Sequence, residues 1–283
     1  MQLLAKDGIY IQDFPRRVKK LPIPPGGRAD VMIRCSKVGK TFVKTLSRTS
    51  MIINVQEEAS NISANMAALS DWAPQWPSYL TNLQTATISE GCSCETHMDG
   101  YGFEQSFVNM QVHKGGNHFL HTSYLGATIE RKMKGTINEH SYHQHVYPFQ
   151  IDSFEEDTLE FPYEPYFKMG DWHDTWMDKT QAEEGEFILR YQTTVFPGKI
   201  MVHCHNSQHA DSGMLAKEYV RDLPVDYTGA KCECEVRGEI SAVGTVDDLN
   251  LGAYDPNGSF DRWSSIHHYI FLGVTLLVSI AHL

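Results

Sequence analysis

The stretch His203-Cys204-His205-Asn206-Ser207-Gln208-His209-Ala210-Asp211-Ser212-Gly213-Met214 gathers three imidazoles, a thiol and a thioether into one short segment. It follows Phe187 to Phe196, rich in β-branched and aromatic residues, then the turn signal Pro197-Gly198 and the apolar run Ile200-Met201-Val202. That order predicts the second strand of a hairpin. Side chains alternate across a strand, so His203 and His205 face one side and Cys204 the other. Adjacent residues then serve two separate sites.

One Cys thiolate and two His in a trigonal set, with a weak, long axial thioether, are the donors of a blue copper site. Cys204, His209 and Met214 supply three of these from one segment, and His140 is the obvious candidate for the fourth. It opens His140-Ser141-Tyr142-His143-Gln144-His145, in which His143 and His145 share one face of an extended segment. His143, His145, His203 and His205 are then left to converge on a second site of imidazoles alone. An isolated His in a strand is more often a satisfied core or surface residue than a ligand, and His97, His113, His118, His121, His173, His267 and His268 are read that way. For the two clusters the compound spacing outweighs that reading.

With these residues in view, the sequence resembles the multicopper oxidases, the family of laccases, ferroxidases and bilirubin oxidases. HCHxxxHxxxGM from His203 to Met214 matches that family's last copper motif at every ligand position. His140 to His145 resembles its third motif, HPxHxH, with Ser141 where Pro is usual, and Gly170-Asp171-Trp172-His173-Asp174-Thr175 is similar to a segment found between the two. The resemblance implies a type 1 copper held by His140, Cys204, His209 and Met214. It implies that His143 goes to a type 2 copper, and His145, His203 and His205 to a type 3 pair. The reaction it implies takes one electron from a small reducing substrate, passes it through Cys204 to His203 and His205, and reduces dioxygen to water. Asp174 and Asp211 could orient ligand imidazoles or be ordinary loop residues. A full cluster in that family takes eight His, four of them from two HxH motifs in the first domain. This chain has no further HxH, and His118-Phe119-Leu120-His121 would point its two rings to opposite faces of a strand. Half of the type 2 and type 3 ligands are therefore expected from N-terminal domains or another chain.

The remaining sequence fits that expectation. Thr85 to about Tyr227 is a series of short apolar, β-branched segments divided by Gly, Pro and Asn, such as Ser106 to Val112, Phe119 to Ile129 and Tyr147 to Phe154. This spacing predicts an all-β sandwich, which the resemblance narrows to a cupredoxin-like Greek key. The chain opens on Leu3-Leu4-Ala5, an Asp7-Gly8 turn, Ile9-Tyr10-Ile11, then Pro24-Pro25-Gly26-Gly27 and the alternating strand Ala29 to Arg34. This opening resembles the end of the family's middle domain, where a PPGGRADV stretch is similar. The expected organisation is the end of a middle cupredoxin-like domain over 1–56 and an interdomain connection over 57–84, with a short helix at Ser60 to Leu69. The C-terminal cupredoxin domain follows over 85–230, then a tail over 231–265 and a hydrophobic segment over 266–283. The chain is thus read as one complete domain plus the end of a preceding one, in a longer protein.

Composition bounds the rest. The net charge of -11 over 283 residues argues against a nucleic-acid-binding surface. No secretory signal peptide stands after Met1. Of the six Cys, Cys92-Ser93-Cys94 and Cys232-Glu233-Cys234 could be cross-linked in an oxidising compartment, with metal delivery the sharper but weaker idea for such pairs. Cys35 is left over as a small buried residue. Asn61-Ile62-Ser63 is a glycosylation sequon, meaningful only in a secreted chain. Tyr269 to Leu283 has no Asp, Glu, Lys or Arg but is short for a membrane span, which needs about 17–25 residues. Behind Asn257-Gly258-Ser259 and a polar spacer, it fits a GPI-type signal better. The expected location is therefore extracellular or at the cell surface, with membrane anchorage through this segment. The competing readings are an electron-transfer protein using only the blue copper, and a structural module that has lost its metal.

Overall fold

The computed structural model describes residues 1–33, 35, 37–45, 48–56, 74–101, 105–109, 113, 119–134, 140–154, 165–177, 186–223 and 229–234. The Asn61 sequon, the helix expected at Ser60 to Leu69, His118, His267, His268 and the apolar C-terminal segment lie outside these residues. No helix among the described residues is long and apolar enough to cross a membrane.

The opening residues form a small sheet. β1 (Gln2–Lys6) pairs with β2 (Ile9–Tyr10), β3 (Arg16–Arg17) and β4 (Ala29–Met32), all antiparallel. Asp7 and Gly8 both take positive φ, 50° and 84°, which matches the twist of a tight two-residue hairpin turn. β5 (Gly39–Thr45) and β6 (Arg48–Val55) pair separately as a hairpin.

The rest is a β-sandwich. One sheet runs in the order β13 (Trp172–His173), β12 (Phe149–Phe154), β15 (Phe187–Gln192), β10 (Thr128–Lys134), β7 (Ser93–Tyr101) and β8 (Gln105–Val108). The other runs β14 (Thr175–Trp176), β11 (Tyr142–Gln144), β16 (Gly198–Cys204), β17 (Leu215–Arg221) and β9 (His121–Tyr124). The parallel pairs β7·β10 and β9·β17 mark crossovers between the sheets. Alternation puts Ile129 and Met133 of β10, Phe187, Leu189 and Tyr191 of β15, and Ile200, Val202 and Cys204 of β16 into the core. Leu3, Ile11, Val18 and Val31 of the opening segment belong to the same buried cluster. Cys92–Cys232 and Cys94–Cys234 are disulfides that tie the last described residues to β7, so the two Cys-x-Cys pairs are cross-linked to each other. Cys35 is a free thiol, half-buried rather than buried as expected.

One local expectation is corrected. Phe187 to Phe196 and the strand ending at Cys204 are not a hairpin: β15 and β16 lie in opposite sheets. β15 is already bonded on both sides, by β10 and β12, and β16 by β11 and β17. Each therefore buries its apolar face against the other's sheet, and that non-local burial outweighs pairing between sequence neighbours. Pro197, with no N–H to donate, sits in the arch between them. The segment Phe119 to Ile129 holds β9 and the start of β10, with Gly126 at φ 86° in the turn between them.

Candidate metal centre

The thiol and imidazole donors separate onto two faces of β16. On the buried face, Cys204 Sγ stands 3.8 Å from His140 Nδ1 and 3.6 Å from His209 Nδ1, and those two nitrogens are 3.0 Å apart. His140 precedes β11, the hydrogen-bonded neighbour of β16, and Tyr142 lies directly opposite Cys204. His209 is carried by α1 (Ser207–Asp211), a single turn capped by the Asn206 side chain, which accepts from the Gln208 N–H. Met214 is fully buried and closes the loop, its carbonyl accepting from the Cys204 N–H. The Asn206 N–H reaches Cys204 Sγ at 3.4 Å.

On the other face four imidazoles meet. His145 Nε2 and His203 Nε2 are 3.1 Å apart, and the His143 ring centroid lies 5.0 to 5.1 Å from those of His145, His203 and His205. His143 and His203 are opposite each other in the β11·β16 ladder, which is why the two HxH pairs converge. The site borders a cleft of about 440 Å³ lined by Asp7, Ile9, Tyr79, His143, His145 and Asp174 among others.

These donors suit a metal ion. Burial holds His140 down at about 4, with His209 adding to the effect, and burial alone lowers His209, so both rings offer lone pairs at neutral pH. Burial pushes the Cys204 thiol up, so its thiolate needs a cation beside it. The outer nitrogen of His140 is buried with no hydrogen-bond partner, and its inner one faces the His209 nitrogen. On the imidazole face, His143 Nδ1 donates to the Asp174 carbonyl at 2.9 Å, and His203 Nδ1 to the Cys204 carbonyl at 2.9 Å. Each bond assigns the proton to Nδ1 and leaves Nε2 as the donor toward a metal. Burial also lowers His145 and His203.

Seven of the eight sequence-predicted site residues lie in two clusters, His140, Cys204 and His209 in one and His143, His145, His203 and His205 in the other, while Met214 is buried and bonded to Cys204 through its backbone. His121 and His173 are buried, His121 beside Glu218 and His173 against Phe149 and Trp176, as expected of core histidines. Asp174 does lie beside a candidate ligand ring: its carboxylate is 3.6 Å from His143 Nδ1. Burial raises this carboxyl, but hydrogen bonds from His143, Arg28 and Thr175 outweigh it and hold it well below the usual range. Asp211 merely ends α1, exposed. Sequence reading missed the roles of Asp7, Gly26 and Arg28, because nothing local connects the chain's opening residues to His143.

The fold is a cupredoxin-like sandwich that carries two donor clusters able to hold a metal ion, one with a thiol and two imidazoles and one of imidazoles alone. Residues 93–223 match the family model described as multicopper oxidase. Among solved structures, the chain is similar to the multi-copper oxidase from Pseudomonas thermotolerans, with a TM-score of 0.55 and 16% identity over 78% of this chain and 49% of that one. It is also similar to McoA from Aquifex aeolicus (0.54, 15% identity, 78% and 49% covered) and to the laccase from Pediococcus acidilactici Pa5930 (0.53, 15% identity, 78% and 45% covered). At these identities the likeness is one of fold, and the chain spans about half the length of the structures it matches. No curated protein sequence matches.

Proposed function

We propose that this chain is the copper-binding C-terminal part of an oxidase that couples one-electron oxidation of a small reducing substrate to reduction of dioxygen to water. The observation that carries this reading is the segregation of donors on β16: one buried thiol with two imidazoles on one face, four imidazoles on the other. His140, Cys204, His209 and Met214 are the type 1 ligands in this reading. His143 is the type 2 ligand, and His145, His203 and His205 serve the type 3 pair. Copper bound at these positions would supply one-electron redox chemistry at the thiolate site and dioxygen reduction at the imidazole site.

The protein's own residues do the rest. Cys204 is covalently joined to His203 and His205, so the thiol of one site and two rings of the other are linked through a few backbone bonds. Burial of Cys204 and Met214 keeps water from the thiolate site. Asp174 and Cys204 carbonyls hold His143 and His203 in the tautomer that presents Nε2. Four further imidazoles, from other domains or another chain, would complete the second site. Location outside the cell or at its surface is supported by the two disulfides, which persist in oxidising compartments. An electron-transfer protein with the blue copper alone leaves the convergence of His143, His145, His203 and His205 without a purpose.

Copper titration of the chain tests the assignment. The thiolate-to-copper absorption is expected in the loaded protein and absent in Cys204→Ser, while His203→Ala leaves it in place and removes imidazole-bound copper. A wild-type chain that takes up copper without that absorption overturns the thiolate-site assignment.

A further inference from the structure

The imidazole face is held by residues far away in the chain. Arg28 grips the Asp174 carboxylate with two parallel bonds, Nη1 to Oδ1 at 2.8 Å and Nη2 to Oδ2 at 2.5 Å. The same guanidinium binds the Gly26 and Asp7 carbonyls at 2.8 and 3.1 Å, so it is fixed to its own turn. The Thr175 hydroxyl donates to Asp174 Oδ1 at 2.7 Å, so its oxygen is a second acceptor, at 2.9 Å, for the His143 Nδ1–H that is shared with the Asp174 carbonyl. The order of donation runs from the His143 ring to Thr175 to Asp174, with Arg28 at its end. Asp7 anchors the same loop from the other side, its Oδ2 accepting from the Asp174 and Thr175 N–H groups at 3.1 and 3.3 Å.

The neighbouring residues of the turn touch the other strands of the site. Ser141 Oγ donates to the Pro25 carbonyl at 2.7 Å, while the Ser141 carbonyl accepts from the His205 N–H at 2.6 Å. Gly26 has φ 82° and lies so close to His205 that a Cβ there would overlap the imidazole ring. One turn thus reaches His143 through Asp174, His205 by direct packing and the His140–His145 segment through Ser141. Ser141 stands where the family motif has Pro, whose side chain has no donor to make this bond.

We infer that the turn Pro24–Arg28 is a positioning element for the imidazole-only metal site, with Arg28 and Gly26 as positioning residues for His143 and His205. Neither residue is a ligand. The inference rests on the reading of His143 and His205 as metal ligands. A bidentate Arg–carboxylate pair resists both displacement and rotation, which a single ammonium would not. Removing a group that orients a ligand imidazole typically lowers metal affinity about 10–100-fold.

The test is Cu(II) binding by the full chain, read by competition with a chelator and by electron paramagnetic resonance, alongside the thiolate-to-copper absorption. Arg28→Gln is expected to weaken imidazole-bound Cu(II) by about 10–100-fold and to change its hyperfine signature. The thiolate absorption should be unaltered, and Arg28→Lys should recover only part of the affinity. Gly26→Ala should perturb the same signal through His205, and Ser141→Ala, which needs no new space, is the milder variant should Gly26→Ala fail to fold. Unchanged imidazole-bound Cu(II) in Arg28→Gln, or equal weakening of both sites, overturns the inference. A wild-type chain with a thiolate site but no imidazole-bound Cu(II) overturns the ligand reading of His143 and His205 itself, and the inference with it.

Discussion

Met214 shows how much a single side chain is asked to do in the thiolate site. It is fully buried, its carbonyl is bonded to Cys204, and its sulfur is the weak axial donor in the proposed set. Leu is close to Met in volume, so Met214→Leu is expected to cost about 1 kcal/mol or less of stability. The same change removes the axial thioether and should raise the copper reduction potential, measured by redox titration of the thiolate-to-copper band. An unchanged potential would show that Met214 only fills the core.

At the scale of elements, the disulfides illustrate cooperation between neighbours. Cys92–Cys232 and Cys94–Cys234 each span a sequence separation of 140 residues and join the same two short segments, reinforced by the Thr122–Glu233 bridge. Either bond alone closes the long loop, so the second restrains only a few residues more. On chain-entropy grounds, Cys94→Ser with Cys234→Ser should cost only about 2 kcal/mol, whereas removing both bonds should cost about 7 kcal/mol. Denaturant unfolding of the single- and double-bridge variants distinguishes this from two independent, additive contributions. β16 gives the complementary lesson. Its alternation was legible from sequence, because a two-residue period sorts Cys204 from His203 and His205 without knowing any partner. Its pairing was not, because whether β15 lies beside it or across from it is decided by strands distant in sequence.

Across the whole molecule, the two sheets are joined by an ion pair as well as by apolar packing. Arg131 of β10 is fully buried and meets Glu218 of β17, with Tyr142, Gln144 and Tyr191 supplying further hydrogen bonds. Burial alone would raise the Glu218 carboxyl, but Arg131 and His121 hold it down at about 2, against the ordinary 4.5. A depressed carboxyl stabilises the fold above its unfolded value and stops doing so as it is protonated. The contribution, about 3 kcal/mol, is therefore full above pH 4.5 and fades as pH falls toward 2. Glu218→Gln leaves Arg131 buried without its counter-charge and should lower stability at pH 7 by about 3–5 kcal/mol. It should also flatten the loss of stability between pH 4.5 and 2, which unfolding measured as a function of pH will show.

The sequence by itself determined the donor inventory and its division. His140, His143, His145, His203, Cys204, His205, His209 and Met214 sit in two compact motifs, and strand periodicity within a motif is a local property that needs no tertiary information. It likewise supported the all-β sandwich, through short alternating segments and their turns. Only the tertiary structure decided that β15 and β16 face each other across a core, that Arg131 and Glu218 bridge the sheets, and that Gly26 and Arg28 lie against the imidazole site. Arg28 and Asp174 are 146 residues apart, and a contact of that range depends on how two sheets pack rather than on any spacing along the chain. Local geometry repeats every two residues and can be counted, whereas packing between sheets is a choice among many registers made by burial as a whole.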